Sequence, residues 1–268
     1  MNKVWLNGMI IDTEDARIDP GDRGFTLGDG IFETLPVIMG KPVFLRRHLE
    51  RLDDGASRLG IEIDSATLSE PVRQTLRANR VIDGILRITV TRGPAMRGIL
   101  PPRVSTPTVM IAAFPAAPQA SAAQLVISNH TRRNEYSPLS RIKSLNYLDN
   151  VLARMEAVEA EANDAILLNC AGYIAEATTA NIVLKLNNGW FTPRIVDGAL
   201  PGVARAILLE HKMISESRLD LHDLGSAQAA MLVNSLGARA VSMIDDRLIE
   251  IETNDLEIAN QFILDVNG

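Results

Sequence analysis

Val4-Trp5-Leu6 and Met9-Ile10-Ile11 are short apolar runs separated by Asn7-Gly8, a pair that favours a tight two-residue turn, so the chain is predicted to open on a β-hairpin. A second turn is predicted at Gly21-Asp22-Arg23-Gly24. Residues 25–35, FTLGDGIFETL, then mix apolar alternation with two glycines around Asp29, which predicts a strand containing a bend or a close backbone approach. The period changes after that. Leu45, Leu49, Leu52, Ala56 and Leu59 recur at helical spacing, Arg46, Arg47, Glu50, Asp53 and Asp54 take the positions between them, and Gly60 supplies the stop. A weaker helix is predicted over residues 69–78, and strands over 85–91 and 109–114.

Residues 115–123, PAAPQASAA, carry small side chains and two prolines that offer little to a core and interrupt both kinds of regular structure. They mark an interdomain linker at 116–122, between a small N-terminal domain (1–115) and a larger one (123–268). The second half opens with strand-like Leu125-Val126-Ile127. A helix after Lys143 gathers Tyr147, Leu148, Val151, Leu152, Met155 and Val158 on one broad apolar face. Hairpins are predicted around residues 169–172 and 187–189, a helix over 203–209 behind Pro201-Gly202, a strand over 229–233 and a tail helix near 256–264. The mixture of meander-like strands and helices is an α+β pattern.

Composition narrows the function classes. The 268 residues are 46% hydrophobic, enough for a proper core, and 27 Lys plus Arg against 33 Asp plus Glu give a net charge of -6. A mild acidic excess argues against a general nucleic-acid binder, which needs a cationic surface to track phosphates. One cysteine, Cys170, excludes an intramolecular disulfide and a Cys-rich metal site. The N-terminal residues lack a signal-peptide pattern and no apolar run reaches membrane-spanning length, so cytoplasm is the expected compartment, with no membrane partner.

No Gly-rich phosphate loop, dinucleotide fingerprint or HExxH helix occurs, and His48, His130, His211 and His222 read as structural or exposed residues, so no metal is expected. Lys143 stands out by its setting. IKSLNYL puts one cation beside apolar and amide groups just before an amphipathic helix, and a lysine that loses solvent becomes more accessible as a neutral nucleophile.

Seven segments occur in an order that resembles the fold-type IV pyridoxal-phosphate enzymes: GDRGFTLGDGIFETLPVIMGKPVF, HLERL, TRGPAMRG, RIKSLNYLDNVLARMEA, EATTAN, LPGVARAILLE and NSLGARAV. That family includes D-amino-acid transaminases, branched-chain transaminases, aminodeoxychorismate lyases and R-selective amine transaminases. The resemblance implies a two-domain α+β fold, with a small N-terminal α/β sandwich-like domain and a larger domain with a barrel-like β-core, and a homodimer whose partner chain helps close each pocket. It implies pyridoxal 5′-phosphate held as a Schiff base on Lys143, which also shuttles the substrate proton. Glu176 takes the place of the carboxylate that pairs with the pyridine nitrogen, and Arg51 that of the phosphate-binding arginine, whose planar fork suits two phosphate oxygens. Gly202, Val203 and Ala204 resemble a first phosphate-binding segment, Ser235 and Leu236 a second, and Tyr147 a tyrosine near the cofactor's phenolic oxygen.

For the substrate, Phe32 falls where well-known D-amino-acid transaminases carry tyrosine, and Arg97 resembles their carboxylate-trapping arginine, although the histidine near it is absent. Arg132 and Arg133 are candidates for a second carboxylate, and Arg92 reads as a structural ion pair. Ala177 departs from the glycine common after the ring-pairing glutamate, which bears on pocket shape rather than on the chemistry. The implied activity is transfer between a small amino donor and a 2-oxo-acid acceptor, with D-amino acids among the candidate donors. 4-Amino-4-deoxychorismate lyase, an R-selective amine transaminase and a non-catalytic vitamin B6-binding protein remain as alternatives.

Overall fold

The computed structural model describes residues 3–116, 121–187 and 189–266. The chain forms two compact units: Met1–Pro118 with Ile142–Asn146 and Asp265–Gly268, and Gln119–Arg141 with Tyr147–Leu264. Of the linker predicted at 116–122, residues 117–120 lie outside the described residues. Residues 142–146, placed by the sequence pattern in the second half, lie with the first unit.

The first unit holds strands β1 (Lys3–Leu6), β2 (Met9–Asp12), β3 (Gly30–Ile38), β4 (Lys41–Pro42), β5 (Gly84–Thr91) and β6 (Thr108–Pro115), with helices α1 (Arg23–Leu27), α2 (Leu45–Leu59) and α3 (Ser69–Asn79). The strands form one antiparallel sheet in the order β2-β1-β6-β5-β3-β4. The first hairpin turns through Asn7 and Gly8 at φ 47° and 102°, the left-handed pair such a turn requires. Leu49, Leu52 and Ala56 of α2 and Val72 and Leu76 of α3 pack with Leu35, Leu86, Ile88 and Ile111 of the sheet. One expectation fails at residues 25–27, which are helical rather than extended. The Asp22 carboxylate accepts the Gly24 N–H (2.7 Å) and caps α1, Gly28 ends it at φ 66°, and Phe25 and Leu27 are left exposed.

The second unit contains β7 (Ala123–Ile127), α4 (Leu148–Glu159), β8 (Asp164–Leu168), β9 (Ile174–Ala177), β10 (Asn181–Leu186), β11 (Gly189–Pro193), α5 (Val203–Glu210), β12 (Ser215–Ser217), α6 (Leu221–Ser226), β13 (Ala229–Asn234), β14 (Gly237–Ile244), β15 (Arg247–Leu248) and α7 (Thr253–Ile263). Its sheet runs β12-β11-β10-β13-β14-β7-β8-β9, with β15 beside β14. β9 returns against β10, which curls the sheet into the barrel-like β-core of the expected α+β fold. The broad apolar face of α4 behaves differently from the pattern's promise. Leu148, Val151, Leu152, Met155 and Val158 are exposed, while Ala153 and Ala157 pack with Ala165 and Leu167 of β8. Small residues let the helix sit close to the sheet, so its large side chains face outward in the single chain. Among the described residues no helix is long and apolar enough to cross a membrane.

Residues 142–146 pair with the start of β3. The Phe32 N–H donates to the Lys143 carbonyl, the Leu145 N–H to the Gly30 carbonyl (both 2.9 Å), and Ile31 and Ser144 form an antiparallel bridge. Gly30 makes room for this: a Cβ there would stand 2.5 Å from the Val90 carbonyl oxygen and 2.8 Å from Leu145 Cδ1. Gly30→Ala is therefore expected to destabilise the fold by about 1–3 kcal/mol, the usual cost of overpacking a tight site. Urea unfolding measures this, and an unchanged midpoint would show that β3 and its neighbours shift apart at no cost.

Candidate active site

In the first unit the groups at the head of β3 gather around Lys143. Its Nζ lies 4.3 Å from the centroid of the buried Phe32 ring, and Arg87 Cζ lies 3.9 Å from the same centroid. An aromatic face attracts cations and holds water away from them. Glu33, the next residue, is buried and accepts Arg51 Nε–H (2.7 Å) and Nη2–H (2.6 Å), while His48 Nδ1 lies 2.6 Å from its Oε2. Burial alone would raise the Glu33 pKa, but the Arg51 charge and the hydrogen bonds from His48 and Arg51 hold it down at about 2. Burial, reinforced by the charges of Arg51 and Lys143, pushes the His48 pKa down despite the attraction of Glu33. An ionised carboxylate only accepts, so His48 donates to it from Nδ1. The Nε–Nη2 edge of Arg51, suited by its planarity to phosphate oxygens, is thus engaged by Glu33. Glu33 and His48 did not stand out in the sequence, although the three-residue spacing from His48 to Arg51 on one helix was a usable sign.

Arg97 sits on an exposed loop between β5 and β6. Arg92 is structural, as its setting implied: it holds Asp29 through Nε (2.7 Å) and Nη2 (3.0 Å) and donates to the Leu59 and Gly60 carbonyls.

In the second unit three segments meet at one end of the sheet. Glu176 is buried near the end of β9. Its Oε2 accepts the Leu200 N–H (2.8 Å) and its Oε1 lies 2.9 Å from Arg133 Nε. Arg133 also donates from Nη2 to the Ser140 carbonyl (3.0 Å), so its side chain is committed to Glu176 and this turn, where the sequence made it a candidate for a second substrate carboxylate. Arg132, also assigned to that role, is exposed and donates to the Ser128 and Thr131 carbonyls (2.7 and 2.9 Å). Asn181 joins the segments: its Nδ2 donates to the Leu200 carbonyl (3.0 Å), and a Cβ on Gly202 would fall 2.2 Å from its Oδ1. Gly202 is the N-cap of α5, whose first turn has neither an acidic residue nor a side-chain cap, leaving the amides of Val203 and Ala204 suited to an anion.

The turn after β13 supplies half-buried Ser235 and exposed Leu236. The Leu236 N–H donates to Asn234 Oδ1 (2.9 Å), and Asn234 Nδ2 donates to the Thr179 carbonyl (3.2 Å). Ser235 thus offers its hydroxyl, while the Leu236 amide braces the turn. Tyr147 is the N-cap residue of α4, and one turn on Asn150 Nδ2 donates to the Thr178 carbonyl (2.7 Å). Asn181 and Asn234 were missed in the sequence because asparagine reads there as turn chemistry, and only the neighbouring loops show what it binds.

The first unit thus offers an ammonium over a buried ring, and the second, by itself, a buried carboxylate with donors on both oxygens and a helix start without a side-chain cap. Residues 30–244 match the family described as Amino-transferase class IV. The chain is 33% identical over 258 residues to the "Putative branched-chain-amino-acid aminotransferase" of Methanocaldococcus jannaschii, covering 92% of this chain and 89% of that one. It is 31% identical over 210 residues to the D-alanine aminotransferase of Bacillus licheniformis, covering 78% and 74%. The crystal structure of 4-amino-4-deoxychorismate lyase from Pseudomonas aeruginosa superposes with a TM-score of 0.85 at 30% identity, covering 96% and 98% of the two chains. The protein belongs to the class IV aminotransferases, enzymes that use pyridoxal phosphate and have the fold-type IV architecture.

The residues suit that cofactor. In the first unit Lys143 and Arg87 lie against the Phe32 ring and Arg51 on Glu33, cationic groups of the kind that a phosphorylated ligand calls for. The Gly202 approach to Asn181 leaves the α5 amides uncovered by any side chain.

The Glu33 cluster generates a pH prediction. Its folded pKa of about 2 lies below the ordinary 4.5, so its stabilisation is fully present above about 4.5 and fades as pH falls towards 2. At neutral pH it amounts to roughly 3 kcal/mol. The stability gap between the parent protein and Glu33→Gln, measured by urea unfolding, is expected to close over that window. A gap that stays constant from pH 6 to pH 3 would remove Glu33 as its source.

Proposed function

We propose that the protein is an amino-acid:2-oxo-acid transaminase in which Lys143 carries pyridoxal 5′-phosphate and Glu176 meets its ring nitrogen. The bound cofactor supplies an electron sink for the charge left at substrate Cα when a proton departs. Lys143 Nζ takes that proton and returns it at the cofactor C4′ carbon, since an amine held in place need not diffuse to its target. Phe32 keeps the Nζ neighbourhood apolar and Arg133 with the Leu200 N–H orients the Glu176 carboxylate. The first-turn amides of α5 and the Ser235 hydroxyl would hold the phosphate, with Arg51, its Nε–Nη2 edge held by Glu33, adding positive charge, and Tyr147 would lie by the phenolic oxygen. Arg97 binds the substrate carboxylate amid exposed Met96, Ile99 and Leu100.

The Arg133–Glu176 pair carries the choice of reaction. It withdraws Arg133 from any second substrate carboxylate, leaving a recognition set matched to a simple amino acid. The second reading, 4-amino-4-deoxychorismate lyase, draws on the similarity to the Pseudomonas aeruginosa enzyme. A homodimer is part of the proposal, supported by the exposed apolar residues of α4 and by Met96, Ile99, Leu100 and Val104.

Addition of single amino acids of either hand to the cofactor-loaded protein is expected to convert its spectrum to that of pyridoxamine phosphate, and 2-oxoglutarate or pyruvate to restore it. The panel reads donor handedness directly. 4-Aminobenzoate formed without any oxo acid would decide for the lyase. Lys143→Ala is expected to lower kcat at least about 1,000-fold, within the range of a lost general base. Light scattering is expected to give twice the mass of one chain, and a monomeric mass would remove the dimer.

A further inference from the structure

The loop of residues 94–107 is tied at its neck by backbone. Arg23 N–H donates to the Gly93 carbonyl (3.0 Å), Ala95 N–H to the Gly21 carbonyl (3.2 Å), and a Cβ on Gly93 would fall 1.9 Å from the Thr106 carbonyl oxygen. Beyond the neck, packing within the single chain does little, because Met96, Ile99, Leu100 and Val104 are each more than 80% exposed there. Among the described residues, the hydrogen bonds that reach residues 96–105 are the two from Arg23: Nη1–H to the Gly98 carbonyl and Nη2–H to the Ile99 carbonyl, both 2.8 Å.

Arg23 itself is buried, at 5% exposure, and its Nε–H donates to Asp29 Oδ2 at 2.7 Å. Asp29 is shared with Arg92 and immediately precedes β3, the strand against which the Lys143 segment pairs. One planar guanidinium therefore joins the loop apex to the head of β3. Arg97, adjacent to the first of the two captured carbonyls, lines with Arg23, Thr26, Leu27, Met96 and Ile99 a cavity of about 460 Å³.

We infer that Arg23 is a positioning residue for substrate recognition, fastening the Arg97 loop to Asp29 so that Arg97 is presented in one place. The inference rests on the reading that Arg97 meets the substrate carboxylate. Lysine cannot substitute, because a single ammonium lacks the fixed fork that reaches a carboxylate on one edge and two successive carbonyls on the other. Removing the fork frees the loop without stranding Asp29, which keeps both contacts to Arg92. The effect is therefore confined to the loop. Burial opposes the Asp29 charge, but the hydrogen bonds and charges of Arg92 and Arg23 hold its carboxyl below the usual range, so the clamp persists at neutral pH.

The test compares Arg23→Lys, Arg23→Met and Arg97→Met in the cofactor-loaded protein. Three quantities are measured: backbone hydrogen exchange over residues 96–105, the dissociation constant of pyridoxal phosphate, and kcat and KM for the amino acid turned over. Both Arg23 variants are expected to speed loop exchange at least about threefold and raise KM roughly 5–30-fold, the size of effect that one or two lost hydrogen bonds produce. Cofactor affinity and kcat are expected to stay within about twofold. Arg23→Lys keeps a cation beside Asp29, so it reports on the loop even if Arg23→Met folds poorly. Unchanged exchange in Arg23→Lys, or a fall in kcat and cofactor affinity matching the KM change, would overturn the positioning role. An unchanged KM in Arg97→Met would overturn the carboxylate reading and the inference with it, and the exchange data would still tell that failure apart from a failure of the clamp.

Discussion

Two backbone hydrogen bonds, from Phe32 to Lys143 and from Leu145 to Gly30, attach residues 142–146 to a strand more than a hundred positions earlier in the chain. Each such bond is worth only about 1 kcal/mol net. Their importance is geometric. They set Lys143 beside Phe32 and within the electrostatic reach of His48, and they add an outer strand segment at the edge of β3. Gly28, Asp29 and Gly30 make this possible by ending α1, receiving the two arginine forks and clearing room for Leu145 within three residues.

The polar interior follows one rule throughout. In each unit the carboxylates withdrawn from solvent have more than one donor: Arg23 and Arg92 on Asp29 and Arg51 and His48 on Glu33 in the first, Arg133 and the Leu200 amide on Glu176 and Thr178 and Arg154 on Asp164 in the second. A buried ion is costly unless paired and hydrogen-bonded, and once paired it resists rotation, because any other orientation strands a charge. Each such side chain is thereby held in one orientation by partners within the fold. Asn181 and Asn234 do the same service for backbone, bracing the Leu200 carbonyl and the Leu236 amide.

Membership of the class IV aminotransferases defines the cofactor, while the pocket decides the reaction. The arginines found in the sequence separate by their partners in the folded chain. Arg92 and Arg133 face carboxylates, Arg132 faces carbonyls of its own loop, and Arg97 stands on an exposed loop whose backbone is held by another arginine. Charge alone gave no means of ranking them.

Much of the secondary structure was legible in local pattern. Period and turn chemistry found the Asn7-Gly8 hairpin, α2 with its Gly60 stop and most of the strands, because each depends on residues within a turn or two of one another. The ordered motifs likewise carried the family, which the comparisons bear out. Other features were decided only when distant segments met. The α1 helix at residues 23–27 was hidden because a cap and a left-handed glycine overrode apolar alternation, and the outward face of α4 was hidden because Ala153 and Ala157, not the larger residues, fit against β8. The burial of Glu33 and His48 and the grip of Arg23 on Gly98 and Ile99 belong to the same class, since hydrogen bonds between residues far apart in sequence leave no periodic trace. The sequence determined which elements form and which residue types are available for the chemistry. Tertiary structure decided the partner of each charge, because that depends on which backbones approach closely enough to exclude water.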